Sequence, residues 1–337
     1  SRTSIRMVKH FRDCANWIQK EFLTEKDPFV VEIGSNDGAM LENFACNKIR
    51  HLGVEPSSNV ADEARKYGVN TMTAFFGLEI AEKIVKEYGH ADVFVAANVM
   101  CHIPDLKGIA EGIDKLLKPR GVFVFEDPYL GDMVKKTAYD QIYDEHVFIF
   151  SSHSVRNIFG PYGFELIDLK PQHTHGGSMR FVFARKGEYP ISKAVQECLA
   201  HEIKQGLHLP STFQQFRNNC EKSRDQLIKI LKQEKKEGRR VVGYAATSKS
   251  TTVLNYCNVG ADLIEFISDT TPIKQGKFSP GVHIPVRPYE DFKIKYPETA
   301  LLLAWNHRSE ILDKETDFMK TGGKWIVYVP TVEKIEK

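Results

Sequence analysis

The sequence predicts an α/β protein of two domains, each a mostly parallel sheet covered by helices, the second smaller than the first. Three features carry that prediction. Short apolar runs alternate with helical segments from Pro28 to Leu117, and again from Arg239 towards the C-terminus, as in parallel strands joined by crossover helices. A strongly helical stretch, from Ser192 to Glu237, separates the two series. Before that stretch lie two strand-like runs, FELIDLKPQ and SMRFVFARKG, with no helix between them. They suit antiparallel strands added at a sheet edge.

The elements follow in order. The stretch from Met7 to Glu21 reads as a helix and precedes a first strand at Pro28 to Ile33. HLGVEP, ADVFVAAN and GVFVFED are the next strands, with helices expected from Ser58 to Tyr67 and from Gly108 to Leu117. The central helical region places apolar residues at Phe213, Phe216, Cys220, Leu227 and Leu231. Strands then resume in RRVVGYAATSKS, LIEFISD, ALLLAWN and KWIVYVP. The boundary falls in the helical region and divides the chain into residues 1–190 and 191–337. No short-period repeat is visible, although the two halves share an architecture.

Composition narrows the function classes. Hydrophobic residues make up 42% and charged residues 27% of the chain, the proportions of a folded globular protein. Forty-six Lys and Arg stand against 44 Asp and Glu, which gives no electrostatic footprint for nucleic acid. The densest basic run, Lys235, Lys236, Arg239 and Arg240, suits a helix C-terminus. No apolar span reaches transmembrane length and no signal peptide is visible, so neither membrane insertion nor secretion is expected. Six scattered cysteines contain no CxxC pair, which argues against a zinc site and fits a cytoplasmic setting. The oligomeric state is left open, a monomer included.

FVVEIGSNDGAML runs a strand into a glycine turn and a helix. Glu32, Gly34 and Gly38 fit E-x-G-x-x-x-G, in which glycine lets the backbone approach a ligand. The spacing is not G-x-G-x-x-G, so a dinucleotide pyrophosphate fits less well than a ligand without phosphate there. Glu55 ends the second strand, followed in the same turn by Ser57, where a carboxylate can take both hydroxyls of a ribose. Asn98 and His102 follow the strand ADVFVAA. Taken singly, each could be a turn residue or a helix cap. Together they resemble the S-adenosylmethionine site of Rossmann-like methyltransferases. That resemblance implies Glu55 at the ribose and Phe76 near the adenine. It also places Gly34, Ser35, Asn36 and Asp37 at the methionine part. His102 either touches the methionine end or caps the helix beginning near Pro104.

YDQIYDEHVFIFS holds two tyrosines, three acids and a histidine within eight residues. It follows GVFVFEDPYLGD and so leaves the carboxyl edge of the first sheet. A carbon nucleophile beside a ketone must lose a proton before it can be methylated, and neutral histidine is a suitable base at cell pH. A tyrosine hydroxyl can donate to the developing oxyanion. Neighbours on a helix diverge, so Glu145 and His146 share a pocket only if this segment is a turn. The plain alternative is a loop whose His146 caps a strand or helix.

EDPYLGD, DQIYDEHVFIFS, HGGSMR, GYAATSKS, GVHIPVRP and AWNH together resemble the nucleotide-sugar C-methyltransferases, such as the deoxysugar C-3 methyltransferase of tetronitrose biosynthesis, across almost the whole chain. The resemblance implies S-adenosylmethionine as cofactor and a nucleotide-linked keto-deoxysugar as substrate, a TDP-4-keto-deoxyhexose in particular. It implies Tyr143, Glu145 and His146 as active-site residues, with His146 the base. Relatives usually begin with a cysteine-rich zinc module and a linker tyrosine. This sequence starts at Ser1 with neither, so no metal is expected from these residues.

In the second domain, Ser248, Ser250 and Thr251 surround Lys249 at a helix start, a receptor for phosphate that departs from the P-loop pattern. Thr247, Ser248 and Lys249 are candidates for the diphosphate, and Asn306 and His307 for the base or pocket wall. A solvent-exposed helix cap is the alternative. His175 and Arg180 sit on the edge hairpin, where they could meet the sugar or diphosphate, with strand-edge charge as the alternative for Arg180. Rival functions are an O- or N-methyltransferase of a sugar or small metabolite, and a nucleotide-binding protein without activity.

Overall fold

The computed structural model describes residues 5–336. Thirteen strands lie in two sheets among the described residues. The first seven are β1 (Phe29–Ile33), β2 (Arg50–Val54), β3 (Thr71–Met72), β4 (Ala91–Ala97), β5 (Leu117–Pro128), β6 (Phe164–Gln172) and β7 (Ser178–Arg185). They form one sheet in the order β3-β2-β1-β4-β5-β7-β6. β1 to β5 are parallel, and β7 pairs antiparallel with both β5 and β6. The remaining six are β8 (Val241–Tyr244), β9 (Ile267–Asp269), β10 (Val286–Pro288), β11 (Thr299–Leu302), β12 (Lys324–Val327) and β13 (Glu333–Ile335). Their order is β10-β9-β8-β11-β12-β13, with only β13 antiparallel. Each sheet repeats the same winding about its first strand, so the shared architecture expected of the two halves is present.

The first sheet is buried on both faces because alternate side chains serve different cores. In β5, Phe123 and Phe125 join one cluster with Phe94, Phe159 and Phe183, while Val122 and Val124 join another with Val93, Val95 and Val30. Phe123 stacks at 5.6 Å on Phe183 and meets Phe159 edge-on at 4.9 Å. Removing such a ring from a core costs about 3–5 kcal/mol. The helix Ile5–Phe22 covers the valine face, because Phe11, Cys14, Ala15 and Ile18 recur at helical spacing and are buried.

Compact packing divides the chain into two units whose segments alternate. One holds the described residues up to Tyr129 with Val147–Gln172 and Ser178–Glu202; the other holds Leu130–His146, His173–Gly177 and the chain from Ile203 onward. Leu130–His146, which carries the Tyr143–His146 run, thus packs with the second sheet. The central helices are Lys193–Lys204 and Pro210–Lys236, and Lys235 and Lys236 lie in the last turn of the latter. No described helix is long and apolar enough to cross a membrane.

Candidate functional site

In the first unit the strand order turns back between β1 and β4, the point where open α/β sheets hold ligands at their carboxyl ends. Gly34 leaves β1 with φ +56°, and a Cβ there would lie 2.5 Å from a Val99 methyl. Only glycine fits. The amide of Asn36 donates to Glu55 Oε2 at 3.0 Å and that of Ser57 to Oε1 at 2.9 Å. Glu55 therefore ties the two turns together. A carboxylate oxygen accepts two bonds, so each keeps an acceptor position for a ribose hydroxyl.

Acid density distinguishes this corner. Glu32 is 4% exposed. Burial pushes its carboxyl well above the usual range, and Asp37 and Glu55 push it further. Glu32 Oε2, Ser35 Oγ and Asn98 Oδ1 are buried without a hydrogen-bond partner, although buried polar atoms ordinarily have one. A ligand carrying an ammonium group, hydroxyls and a cationic sulfur matches this set, so the residues fit S-adenosylmethionine. Phe76 is half-buried against Phe94, their rings 5.1 Å apart. His102 ends the turn Met100–His102. The following helix is Leu106–Leu116, and Asp105 caps it by accepting from the Gly108 amide, which corrects the capping alternative for His102.

Sequence reasoning passed over Asp127, at the end of β5. It is fully buried, and its carboxyl is pushed up to about 8, chiefly by desolvation. The Cys101 thiol and the amides of Cys101 and Met100 partly oppose this. The folded protein holds more protons than the unfolded chain between the ordinary aspartate range and pH 8, so this group's contribution to stability falls as pH rises through that window. Melting of wild type against Asp127→Asn from pH 5 to 9 should show wild type losing ground up to pH 8, by at most about 1.4 kcal/mol per pH unit, with no further change above it. A constant difference would remove the assignment.

Arg180 lies in β7, an inner strand, which corrects its expected place at the edge. It is 6% exposed, and its Nε and Nη2 donate to Glu126 Oε2 at 3.1 and 3.0 Å. His10 Nε2 meets the other Glu126 oxygen at 2.7 Å.

In the second unit, residues 142–146 are not helical, and a turn closes with the His146 amide donating to the Tyr143 carbonyl at 2.9 Å. The Tyr143 and His146 rings lie 3.9 Å apart, while Glu145 is exposed. His146 Nδ1 is 2.8 Å from the Gln141 carbonyl. A carbonyl only accepts, so Nδ1 carries the proton and the lone pair of the neutral ring sits on Nε2. Thr247 Oγ1 accepts the Ser250 amide and caps the helix Ser248–Tyr256; Ser248 is exposed. Lys249 is buried, and its ammonium donates to the His175 carbonyl at 2.6 Å. Burial lowers its pKa to about 8 against the pull of Asp140. Asn306 and His307 occupy the turn Trp305–His307 after β11, with His307 3.6 Å from Glu310.

The winding and the acid-lined turn of the first unit define a Rossmann-like, S-adenosylmethionine-dependent methyltransferase. Residues 7–169 match a family model described as a methyltransferase domain, and residues 173–330 match the C-methyltransferase C-terminal domain. The chain is 36% identical over 327 residues to the C-methyltransferase NovU of Streptomyces niveus, covering 96% of this chain and 77% of that protein. This chain belongs to the C-methyltransferase family. Solved structures overlap about half of it. An S-adenosylmethionine-dependent methyltransferase of Anabaena variabilis has TM-score 0.42 at 15% identity, covering 52% of this chain and 84% of that one. Magnesium protoporphyrin IX methyltransferase of Synechocystis with bound SAH has TM-score 0.41 at 15% identity, covering 53% and 84%.

Proposed function

We propose that the chain methylates the carbon beside the keto group of a nucleotide-linked deoxysugar, a TDP-4-keto-deoxyhexose, through an enolate. Membership of the C-methyltransferases makes the acceptor a carbon, and such a carbon becomes nucleophilic only when its proton is removed. The observation that carries the reading is the 2.8 Å contact of His146 Nδ1 with the Gln141 carbonyl, which leaves the lone pair of a neutral ring on Nε2. His146 takes the proton, and the C–H electron pair passes into the enolate. The Tyr143 hydroxyl donates to the enolate oxygen, and Glu145 supports the charge on the imidazolium. S-Adenosylmethionine supplies an electrophilic methyl group on a cationic sulfur, which accepts the electron pair of the broken bond. Glu55 and Ser57 hold its ribose and Phe76 its adenine. Glu32, Gly34, Ser35, Asn36, Asp37, Asn98 and His102 surround its methionine end.

The substrate class rests on the likeness of DQIYDEH, HGGSMR and GYAATSKS to the nucleotide-sugar enzymes. His175, Thr247, Ser248 and Lys249 serve the sugar diphosphate, and Asn306 and His307 the nucleoside side. Lys249 supports the His175 backbone. Lys249→Ala should therefore raise KM for the sugar nucleotide by roughly 10-fold, the low end for a charged hydrogen bond, while calorimetry finds cofactor affinity unchanged. Weakened cofactor binding would refute this division of labour. The function itself is tested with labelled S-adenosylmethionine and a panel of 4-keto-deoxysugar nucleotides, locating the label by NMR. Label on a ring carbon is expected. Label on oxygen or nitrogen would overturn the enolate route, and no turnover of any sugar nucleotide would overturn the substrate class.

A further inference from the structure

The carboxyl ends of β8, β11 and β12 in the second sheet face part of the chain itself. Asp140, with no exposed surface, accepts from Trp305 Nε1 at 2.6 Å and from the Tyr328 hydroxyl at 2.7 Å, both on Oδ2. Trp305 follows β11 and Tyr328 follows β12. Lys249, after β8, donates to the His175 carbonyl, which also accepts the Gln141 side-chain amide at 2.6 Å. On the other side of Asp140, the Tyr139 ring is buried 6.2 Å from that of Tyr328, and the Tyr139 hydroxyl lies 3.4 Å from Ser223 Oγ. An edge of the kind that holds ligands in open α/β sheets here holds residues 139–141 and 175.

We infer that Asp140 is a positioning residue for the reaction, fixing the Gln141 carbonyl that holds the His146 ring in its Nδ1–H tautomer. Gln141 is held from both sides, because the Asp140 carboxylate before it is gripped by two donors and its own side chain is tied to His175, so the peptide that carries its carbonyl cannot turn. That carbonyl therefore meets His146 Nδ1 at a set direction and distance. The second sheet thus acts as the scaffold of the base. This rests on the reading of His146 as the base, but the tautomer can be observed without it.

The test uses the full chain with Asp140→Ala and Asp140→Asn. Asp140→Ala should lower kcat by about 10²-fold, the scale of a misplacement near 1 Å, with KM for the sugar nucleotide and cofactor affinity within about twofold. Asp140→Asn keeps an oxygen for Trp305 and Tyr328 and should recover most of the loss. Nitrogen-15 NMR of the histidine rings should show His146 protonated on Nδ1 in wild type and mixed in Asp140→Ala. If Asp140→Ala does not fold, Tyr328→Phe removes one donor at similar volume and Trp305→Phe removes the other with a smaller ring, and each should lower kcat roughly 3- to 10-fold, KM unchanged. Unchanged kcat, a loss confined to KM, or an unchanged tautomer would overturn the positioning role. An active His146→Ala would instead overturn the reading of the base, leaving the tautomer measurement to judge Asp140.

Discussion

A folded His146→Ala enzyme should lose methylation and exchange of the substrate's α-hydrogen together, each by about 10²–10⁴-fold, the contribution of one general base. Both follow from one step. In the proposed reaction the base removes the proton and forms the enolate before methyl transfer, so in heavy water the substrate should take up deuterium when the demethylated cofactor product fills the pocket and transfer cannot follow. His146→Asn keeps polarity but offers no comparable base, and should fail equally. Tyr143→Phe removes one donor to the oxyanion and should slow the reaction less. Glu145→Gln should fall between them. Exchange is read by NMR and turnover with labelled cofactor. Near wild-type methylation by folded His146→Ala would place the base elsewhere and make the turn at 143–146 purely structural.

Glu55→Ala should weaken S-adenosylmethionine binding by about 1.5–3 kcal/mol, the range for hydrogen bonds to a charged group. Two losses add in the same direction. The ribose loses its acceptor, and the amides of Asn36 and Ser57 lose theirs, which loosens the turn that Gly34 shapes. Glu55→Gln keeps one carbonyl acceptor and should retain part of the affinity. Calorimetry on the folded variants decides, and unchanged affinity in Glu55→Ala would remove the ribose role.

Much of the first sheet was legible because its strands are long or apolar throughout. GVFVFED could only be a strand buried on both faces, and its valines and phenylalanines do pack on opposite sides. The strand-two acid was legible for a similar reason, since its place at a strand end follows from local order. Three of the short strands were not. β3, β10 and β13 span two or three residues, too few to show a period, and exist through pairing with neighbours. Arg180 was misplaced because pairing order is not local: β7 follows β6 in sequence yet inserts between it and β5. Its guanidinium is consequently buried against Glu126.

By itself the sequence determined the alternation of strands and helices, the two-fold use of one architecture, the glycine turn with the acid at the end of strand two, and the run that carries His146. These depend on residues close together along the chain. Only the tertiary structure decided which unit holds that run and what surrounds Asp140 and the Gln141 carbonyl beside His146. Nothing in the sequence sets Asp140 apart from the other two acids of its run, and its partners Trp305 and Tyr328 lie 165 and 188 residues away. Burial raises the cost of its charge and holds its pKa above the ordinary range, while Lys249 and those donors offset only part of that cost. Desolvation and its compensation depend on what surrounds a group in space, and local sequence order does not contain that.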